Sequence, residues 1–370
     1  MTVSAGNSFL PLQPLAPDID SPSQDAAMRR AYTWARMLDY GVAGDDAWAL
    51  HRQPETPVNW VATTLARGDR HVADAVTFRE AGAAEVAGEL ERHAAACYRL
   101  CQSALEAQPE LRRAVYERQA DAFARAMAAS ANGARRLDVR FEGQAMTNWF
   151  FEARPGAPTI IVVGGADGWC EAFEPSVASF RRQGLSLCLL ELPGQGISRL
   201  GGHMALKPDF WHAVSSCIDA LSLAGVARFG LLGHSLGGSL AIVSAAHEPR
   251  IEALCSNGGS AYLERGLERY PRVLQKVADM MGVAPEAALH QVAGMRVREC
   301  IDEIPGELLI VHGDLDVLVT AQDIEDLPRT TRSGAVIVRR WPLGEHCVYS
   351  AAAERNRVMA SWFKARLEHP

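Results

Sequence analysis

One fifteen-residue segment constrains the fold of this chain more than any other. Phe229-Gly-Leu-Leu-Gly-His-Ser-Leu-Gly-Gly-Ser-Leu-Ala-Ile-Val243 reads as a buried strand, a tight turn and a helix. At its centre stands Gly233-His-Ser-Leu-Gly237, a G-x-S-x-G pattern. Glycines two residues to either side let strand and helix approach closely, and the strained turn thrusts the Ser235 hydroxyl out at the top of a sheet. A short apolar run of this kind suits a strand buried on both faces.

The surrounding chain has two textures. From about 24 to 131, Ala, Leu, Arg and Glu dominate and apolar residues recur every three or four positions. Leu90, His93, Ala94, Cys97, Tyr98 and Cys101, for example, share one side of a helix. Breaks at Gly41, Gly44, Pro54, Gly68 and Pro109 divide this region into about five helices. After Gly133 strands and helices alternate. Strands are expected over 137–141, 146–153, 159–163, 185–190, 229–232, 253–255, 308–311 and 336–341. An antiparallel start around Gly143, followed by βα units, predicts an α/β fold with a mostly parallel eight-stranded sheet. The stretch 261–301 is too long for a simple βα connection and reads as a helical insertion after strand six, over the carboxyl edge of the sheet. The expected organisation is therefore a loose arm over 1–22, a helical domain over 23–132 and an α/β domain over 133–370 carrying a cap insertion over 261–301.

A serine on such a turn needs a base and an acid, which in this strand order follow it as Ser, then Asp or Glu, then His. Leu308-Leu-Ile-Val-His-Gly-Asp-Leu-Asp316 is a strand running into an acidic loop. Asp316 holds the place of the acid, with Asp314 as the alternative, read as a turn-capping carboxylate. Gly344-Glu-His-Cys347 follows the last expected strand, so His346 can fall back over the sheet edge towards Ser235. An oxyanion site is expected from the Leu236 N–H, at the start of the helix, and the Ala166 N–H, with Gly165 as alternate, in the turn after Thr159–Val163. Asp167, Trp169, His234, Tyr262 and Glu264 are candidate substrate contacts. Phe173 flanks the same entrance, His234 and His312 support the turn and the acidic loop, and His203 is placed to line the pocket.

Charge and cysteine usage narrow the function classes. Net charge is −7 and charged residues make up 22%, which argues against a nucleic-acid partner held by phosphate neutralisation. No apolar run approaches the roughly 20 residues that cross a bilayer, and the first residues lack the pattern of a signal peptide. The eight cysteines form no CxxC pair and no metal-ligand spacing. They read as buried thiols of a reducing compartment. A cytoplasmic enzyme acting on a small molecule, with no cofactor and no metal, is the resulting expectation.

These residues resemble the α/β-hydrolase superfamily over about 137–367, and Glu191-Leu-Pro-Gly-Gln-Gly-Ile-Ser198 is similar to its PG-x-G-x-S loop. Gly164-Gly-Ala-Asp-Gly168 and the helical N-terminal region are similar to the group containing 2,6-dihydroxypseudooxynicotine hydrolase and the fungal heptaketide-shortening hydrolases. Glu91-Arg-His-Ala-Ala-Ala-Cys-Tyr-Arg99 and Glu110-Leu-Arg-Arg-Ala-Val-Tyr116 look like diverged forms of that group's N-terminal motif. The resemblance implies a Ser235–Asp316–His346 triad that cleaves a carbon–carbon bond next to a ketone in an aromatic or polyketide-like compound. An esterase, thioesterase or acyl-transferring cyclase of secondary metabolism is the alternative, since a triad does not define its leaving group. The helical domain is expected as a lid or dimer surface, and a homodimer is expected by analogy alone.

Overall fold

The computed structural model describes residues 22–51, 59–130, 134–166, 169–201 and 204–368. The arm expected over 1–22 lies outside these residues except for Pro22, and so do Pro54, Asp167 and His203. The described N-terminal region forms six helices: α1 (Pro22–Ala31), α2 (Trp34–Asp39), α3 (Gly44–His51), α4 (Trp60–Glu80), α5 (Ala84–Gln102) and α6 (Pro109–Ala129). Asn59 caps α4, its side chain accepting from Ala62 N, and proline stands in the first turn of α6.

Gly68 does not break a helix. It lies inside α4, where a Cβ would come 2.5 Å from the Tyr98 ring. The glycine is there to let α4 and α5 pack closely, so its signal in the sequence was one of contact, not of chain reversal.

Among the described residues the α/β region supplies ten strands: β1 (Ala134–Arg135), β2 (Arg140–Phe141), β3 (Gln144–Ala145), β4 (Asn148–Phe151), β5 (Thr159–Val163), β6 (Ser186–Leu190), β7 (Phe229–His234), β8 (Ile251–Asn257), β9 (Glu307–Gly313) and β10 (Val336–Trp341). Eight of them form one sheet in the order β1-β4-β6-β5-β7-β8-β9-β10, parallel from β6 to β10 and antiparallel at β1 and β4. The expected strand over 137–141 is corrected. Only its last two residues are extended, and they pair with β3 in a separate ribbon turning at Gly143, while β1 takes the sheet edge.

Central strands are buried along their whole length. Alternation within β5 sends Ile160 and Val162 to one core and Ile161 and Val163 to the other. The first core is continuous with the N-terminal helices, including Met37, Trp60 and Phe123, and the ring of Phe123 lies 5.3 Å from that of Trp149 on β4. The second is closed by Leu236–His247 and by the insertion, whose helices are Leu263–Arg269, Pro271–Met281, Pro285–Gly294 and Val297–Glu303. Among the described residues no helix is long and apolar enough to cross a membrane.

Gly68 offers a test in which two effects have opposite signs. Helix propensity alone would make Gly68→Ala stabilising by about 1 kcal/mol. Tyr98, however, is buried and donates a hydrogen bond to Asp69 Oδ1 at 2.6 Å, so its ring is pinned where the new methyl must go. We expect net destabilisation of about 1–3 kcal/mol, the range for overpacking, read as a lower urea midpoint. A midpoint equal to or above the parent would contradict this packing.

Candidate active site

Ser235 sits between the end of β7 and the helix Leu236–His247 with φ 56° and ψ −130°, a region that non-glycine residues rarely occupy. Two glycines make the turn possible. A Cβ on Gly233 would lie 2.1 Å from the Gly237 carbonyl oxygen, and one on Gly237 would lie 2.4 Å from the Gly164 carbonyl oxygen. Any side chain at either position would separate strand from helix.

Parallel pairing puts the carboxyl ends of β5, β7, β8 and β9 side by side, with Val163 opposite Gly233 and His234 opposite Asn257. Loops from these ends converge. His346 Nε2 lies 2.8 Å from Ser235 Oγ, and His346 Nδ1 lies 2.8 Å from Asp316 Oδ2. The other Asp316 oxygen accepts from the backbone N–H groups of Leu318 and Val319, at 2.8 and 3.1 Å. The carboxylate is thus fixed from both sides and orients the ring. Asp314 is elsewhere, paired with Arg340 at 2.7 Å. Burial disfavours the charged form of His346, but the Cys347 sulfur and the Asp316 carboxylate outweigh it and hold the imidazole pKa well above its ordinary value. The arrangement can take a proton from the serine hydroxyl and stabilise the resulting imidazolium.

The turn expected to bind an oxyanion lies against the serine, a Cβ on Gly165 falling 3.1 Å from Ser235 Oγ. Gln195, to which the sequence reading gave no role, holds that turn. Its side-chain amide donates to the carbonyls of Gly164 and Gly165 at 2.7 and 2.9 Å, and its oxygen accepts from Leu192 N at 2.9 Å. Ala166, which follows these carbonyls, lines the same cavity as Ser235. As the first residue of its helix, Leu236 has an N–H with no acceptor inside the helix.

A cavity of about 570 Å³ opens above Ser235 and His346, and Gly165, Ala166, Trp169, Phe173 and His234 line it. His234 stacks on Phe173 with ring centroids 4.6 Å apart. Burial, with a smaller contribution from Arg355, pushes its pKa well below the usual value, so the ring is neutral. Asn257 Nδ2 is 2.8 Å from His234 Nδ1 and 3.2 Å from the Cys347 carbonyl oxygen. That amide donates to both, which leaves the His234 proton on Nε2. Tyr262 and Glu264 do not line this cavity. The Tyr262 hydroxyl donates instead to the carbonyl of Asp326 at 2.9 Å, and the cap's contribution comes from Tyr270, Arg272, Val273 and Lys276. His312 is buried beneath the acidic loop, 3.9 Å from Asp314.

The residues after His346 are strained and braced. Cys347 and Val348 have φ of 60° and 54°, and Val348 is β-branched, which makes its conformation costly. Arg355, buried in the last helix, donates to the Cys347 carbonyl oxygen at 2.8 Å and to both oxygens of Asp39 in α2, at 3.1 and 2.9 Å. The spacing of 316 positions between Asp39 and Arg355 explains why no sequence motif reveals this brace.

Among the described residues two buried groups bring three possible metal ligands together, Asp46–His71–Cys97 and Cys170–Glu171–Glu191. Neither touches the relay. In the first, burial would raise the Asp46 pKa, but hydrogen bonds from His71 and Arg67 bring it to about 2. That carboxylate is answered by the guanidinium groups of Arg67 and, at 3.7 Å, Arg70.

No family model matches the chain. It is 25% identical over 338 residues, 89% of this chain and 90% of the relative, to 2,6-dihydropseudooxynicotine hydrolase of Paenarthrobacter nicotinovorans. A crystal structure of the 2,6-dihydroxy-pseudo-oxynicotine hydrolase superposes with a TM-score of 0.78 at 24% identity, covering 90% of this chain and 96% of that one. The chain has the α/β-hydrolase fold. The wild-type AbyA5 structure shares the fold at a TM-score of 0.67 and 18% identity, over 92% of this chain and 98% of AbyA5. A 29% identical match to 2-succinyl-6-hydroxy-2,4-cyclohexadiene-1-carboxylate synthase of Salmonella typhimurium spans only 33% of this chain and 46% of that enzyme.

Two outcomes follow from this geometry. Because the relay works with an unprotonated ring, activity should rise with pH through an inflection above the usual imidazole range. Asp316→Asn should move that inflection down and lower kcat by about 10⁴-fold, as read from kcat–pH profiles. Arg355→Leu leaves Asp39 uncompensated and should destabilise the protein by about 3–5 kcal/mol. By loosening the His346 loop it should also lower kcat by about 100-fold. A stable, fully active Arg355→Leu protein would show that the brace is dispensable.

Proposed function

We propose that this chain is a hydrolase that uses Ser235 as a nucleophile, His346 as general base and acid, and Asp316 as the group that orients and stabilises the imidazolium. The bond cleaved is a carbon–carbon bond next to a ketone in an aromatic or polyketide-like small molecule. The observation that carries the reading is the pair of 2.8 Å contacts joining Asp316, His346 and Ser235 at the floor of an aromatic-lined cavity. Sequence similarity to 2,6-dihydropseudooxynicotine hydrolase along 89% of the chain supports the ketonic aromatic substrate class over a general esterase.

The chemistry balances as follows. His346 Nε2 takes the Ser235 proton while Oγ adds to the carbonyl carbon. The carbonyl oxygen, now an oxyanion, accepts hydrogen bonds from the Leu236 and Ala166 N–H groups, each contributing about 3–4 kcal/mol. Collapse breaks the bond to the leaving carbon, whose electron pair takes the proton from His346. An electron-rich ring or an adjacent carbonyl spreads that charge. Water then adds to the acyl-enzyme with its proton passing to His346, and Ser235 leaves with that proton. The net reaction consumes one water and gives a carboxylic acid and a protonated carbon fragment.

A fluorophosphonate should label Ser235, and Ser235→Ala should abolish the label and lower kcat by about 10⁴-fold or more. Mass analysis in ¹⁸O-water of an electron-rich aryl ketone and of the matching ester separates the bond classes. Ketone cleavage that leaves one heavy oxygen in the acid supports the carbon–carbon reading. Turnover of the ester alone would replace it with an esterase, and an unlabelled Ser235 would remove the nucleophile assignment.

A further inference from the structure

A second chamber, of about 50 Å³, also opens at Ser235 and shares Ala166, Val273, Leu318 and His346 with the first. Its walls are Leu236, Leu263, Leu267, Val277 and Val319, all buried. An apolar cavity three times that size accommodates benzene, so this one suits a group of a few carbons. Ser235 and His346 line both chambers. The two differ in their relation to the imidazole. Glu345 and Tyr349, on either side of His346 in the chain, wall the large chamber, as do Leu315 and Val317 on either side of Asp316. The leaving group must lie on the side from which His346 returns its proton. The large chamber is therefore the leaving-group side, and the small one receives the acyl chain.

Charge distinguishes the chambers further. The hydrolase carries −7 overall, yet Arg30, Arg36, Arg272 and Lys276 line the large chamber against one carboxylate, Glu345. Glu345 is engaged by the Ser350 N–H and hydroxyl at 2.7 and 2.6 Å. Lys276 is paired with Glu106 at 3.1 Å, and Arg36 lies over the rings of Tyr32 and Tyr40, 4.4 and 5.1 Å from their centroids. Arg30, on α1, and Arg272, on the cap helix Pro271–Met281, are exposed and have no carboxylate partner among the described residues. Two guanidinium groups from different elements thus face one aromatic-lined mouth, an arrangement suited to bidentate recognition of an anion.

We infer that the substrate spans both chambers, with a short acyl group in the small apolar one and an aromatic leaving group in the large one that ends in an anion, a carboxylate or phosphate, held by Arg30 and Arg272. This assignment rests on the serine-nucleophile reading and deepens it by naming the substrate class.

Activated esters test it with the intact protein. The probes are 4-acetoxybenzoate, 4-acetoxyphenyl phosphate, the neutral 4-acetoxybenzamide and the octanoyl counterpart of the benzoate. We expect kcat/KM at least about tenfold higher for the better of the two anionic acetyl esters than for the amide at low salt, with the preference shrinking at high ionic strength. The better anion identifies the group recognised. Octanoyl transfer should be slower than acetyl transfer by about tenfold or more. In the Arg30→Gln/Arg272→Gln double variant the anionic-to-neutral ratio should fall about tenfold. Both sites are exposed, and titration of the folded Ser235→Ala protein with benzoate and phenyl phosphate gives an independent readout, saturable binding that weakens with salt. Equal turnover of amide and anions, or octanoyl esters used as readily as acetyl esters, would overturn the two-chamber assignment while fluorophosphonate labelling of Ser235 still stood. Loss of labelling together with all turnover would overturn both readings.

Discussion

The arrangement of side chains at the carboxyl edge of the sheet depends on one strained residue. Ser235 is held at φ 56°, a conformation costing on the order of 1–3 kcal/mol for a residue with a side chain. The strain persists because β7 is hydrogen-bonded on both sides, to β5 and β8, and the helix that follows is buried along almost its whole length. The contact distances at Gly233 and Gly237 show how little room is left. Strand, turn and helix are therefore mutually determined. The hydroxyl is presented at the carboxyl edge of the sheet, where the loops after β5, β9 and β10 also end. A mobile serine would lose more in orientation than it gained in freedom.

The same logic recurs at His346, with a different brace. Here the chain must turn sharply after the imidazole so that the ring faces back over the sheet, and Cys347 and Val348 take left-handed conformations to do so. No glycine relieves them. The compensation is polar. The Cys347 carbonyl oxygen accepts from Arg355 at 2.8 Å and from Asn257 at 3.2 Å, and Asn257 simultaneously fixes the proton of His234. One carbonyl therefore couples the His346 loop, the neutral His234 beside Ser235 and, through Arg355 and Asp39, the second N-terminal helix. Within this buried network the Asn257 side-chain oxygen has no hydrogen-bond partner, so its polar groups are satisfied only in part.

What the sequence made legible follows from these local constraints. Ser235, Asp316, His346 and the turn at Gly165 and Ala166 stand at the ends of short apolar strands, and the residue types required there can be read within windows of five to ten positions. The parallel sheet was legible for the same reason, through runs such as Thr159–Val163 that are apolar on both faces. Contacts between distant segments were not. Gly68 has the appearance of a helix break because its packing partner, Tyr98, lies 30 positions further on. Tyr262 and Glu264 stand at the start of the insertion, but the next helix, from Pro271, is the one that reaches the cavity. Rotation of a short helix about its axis decides such matters, and no local pattern encodes it. The edge strand β1 is only two residues long, too short for alternation to register.

The N-terminal helices are part of the site's construction. Their apolar side chains share one core with β4, β5 and β6, Tyr40 and Tyr349 meet edge to face at 5.6 Å, and Asp39 closes the ion pair that steadies the His346 loop. Those same helices contribute Arg30 and Arg36 to the cavity wall. The bracing of the His346 loop and the proposed selection of the substrate consequently both involve this one segment. A guanidinium lying over aromatic faces, as Arg36 does over Tyr32 and Tyr40, keeps its charge at the mouth of an apolar chamber with little loss of solvation. In this way a chain that is acidic overall places Arg30, Arg36, Arg272 and Lys276 around the cavity above Ser235, a field that would draw in the anion of the proposed substrate.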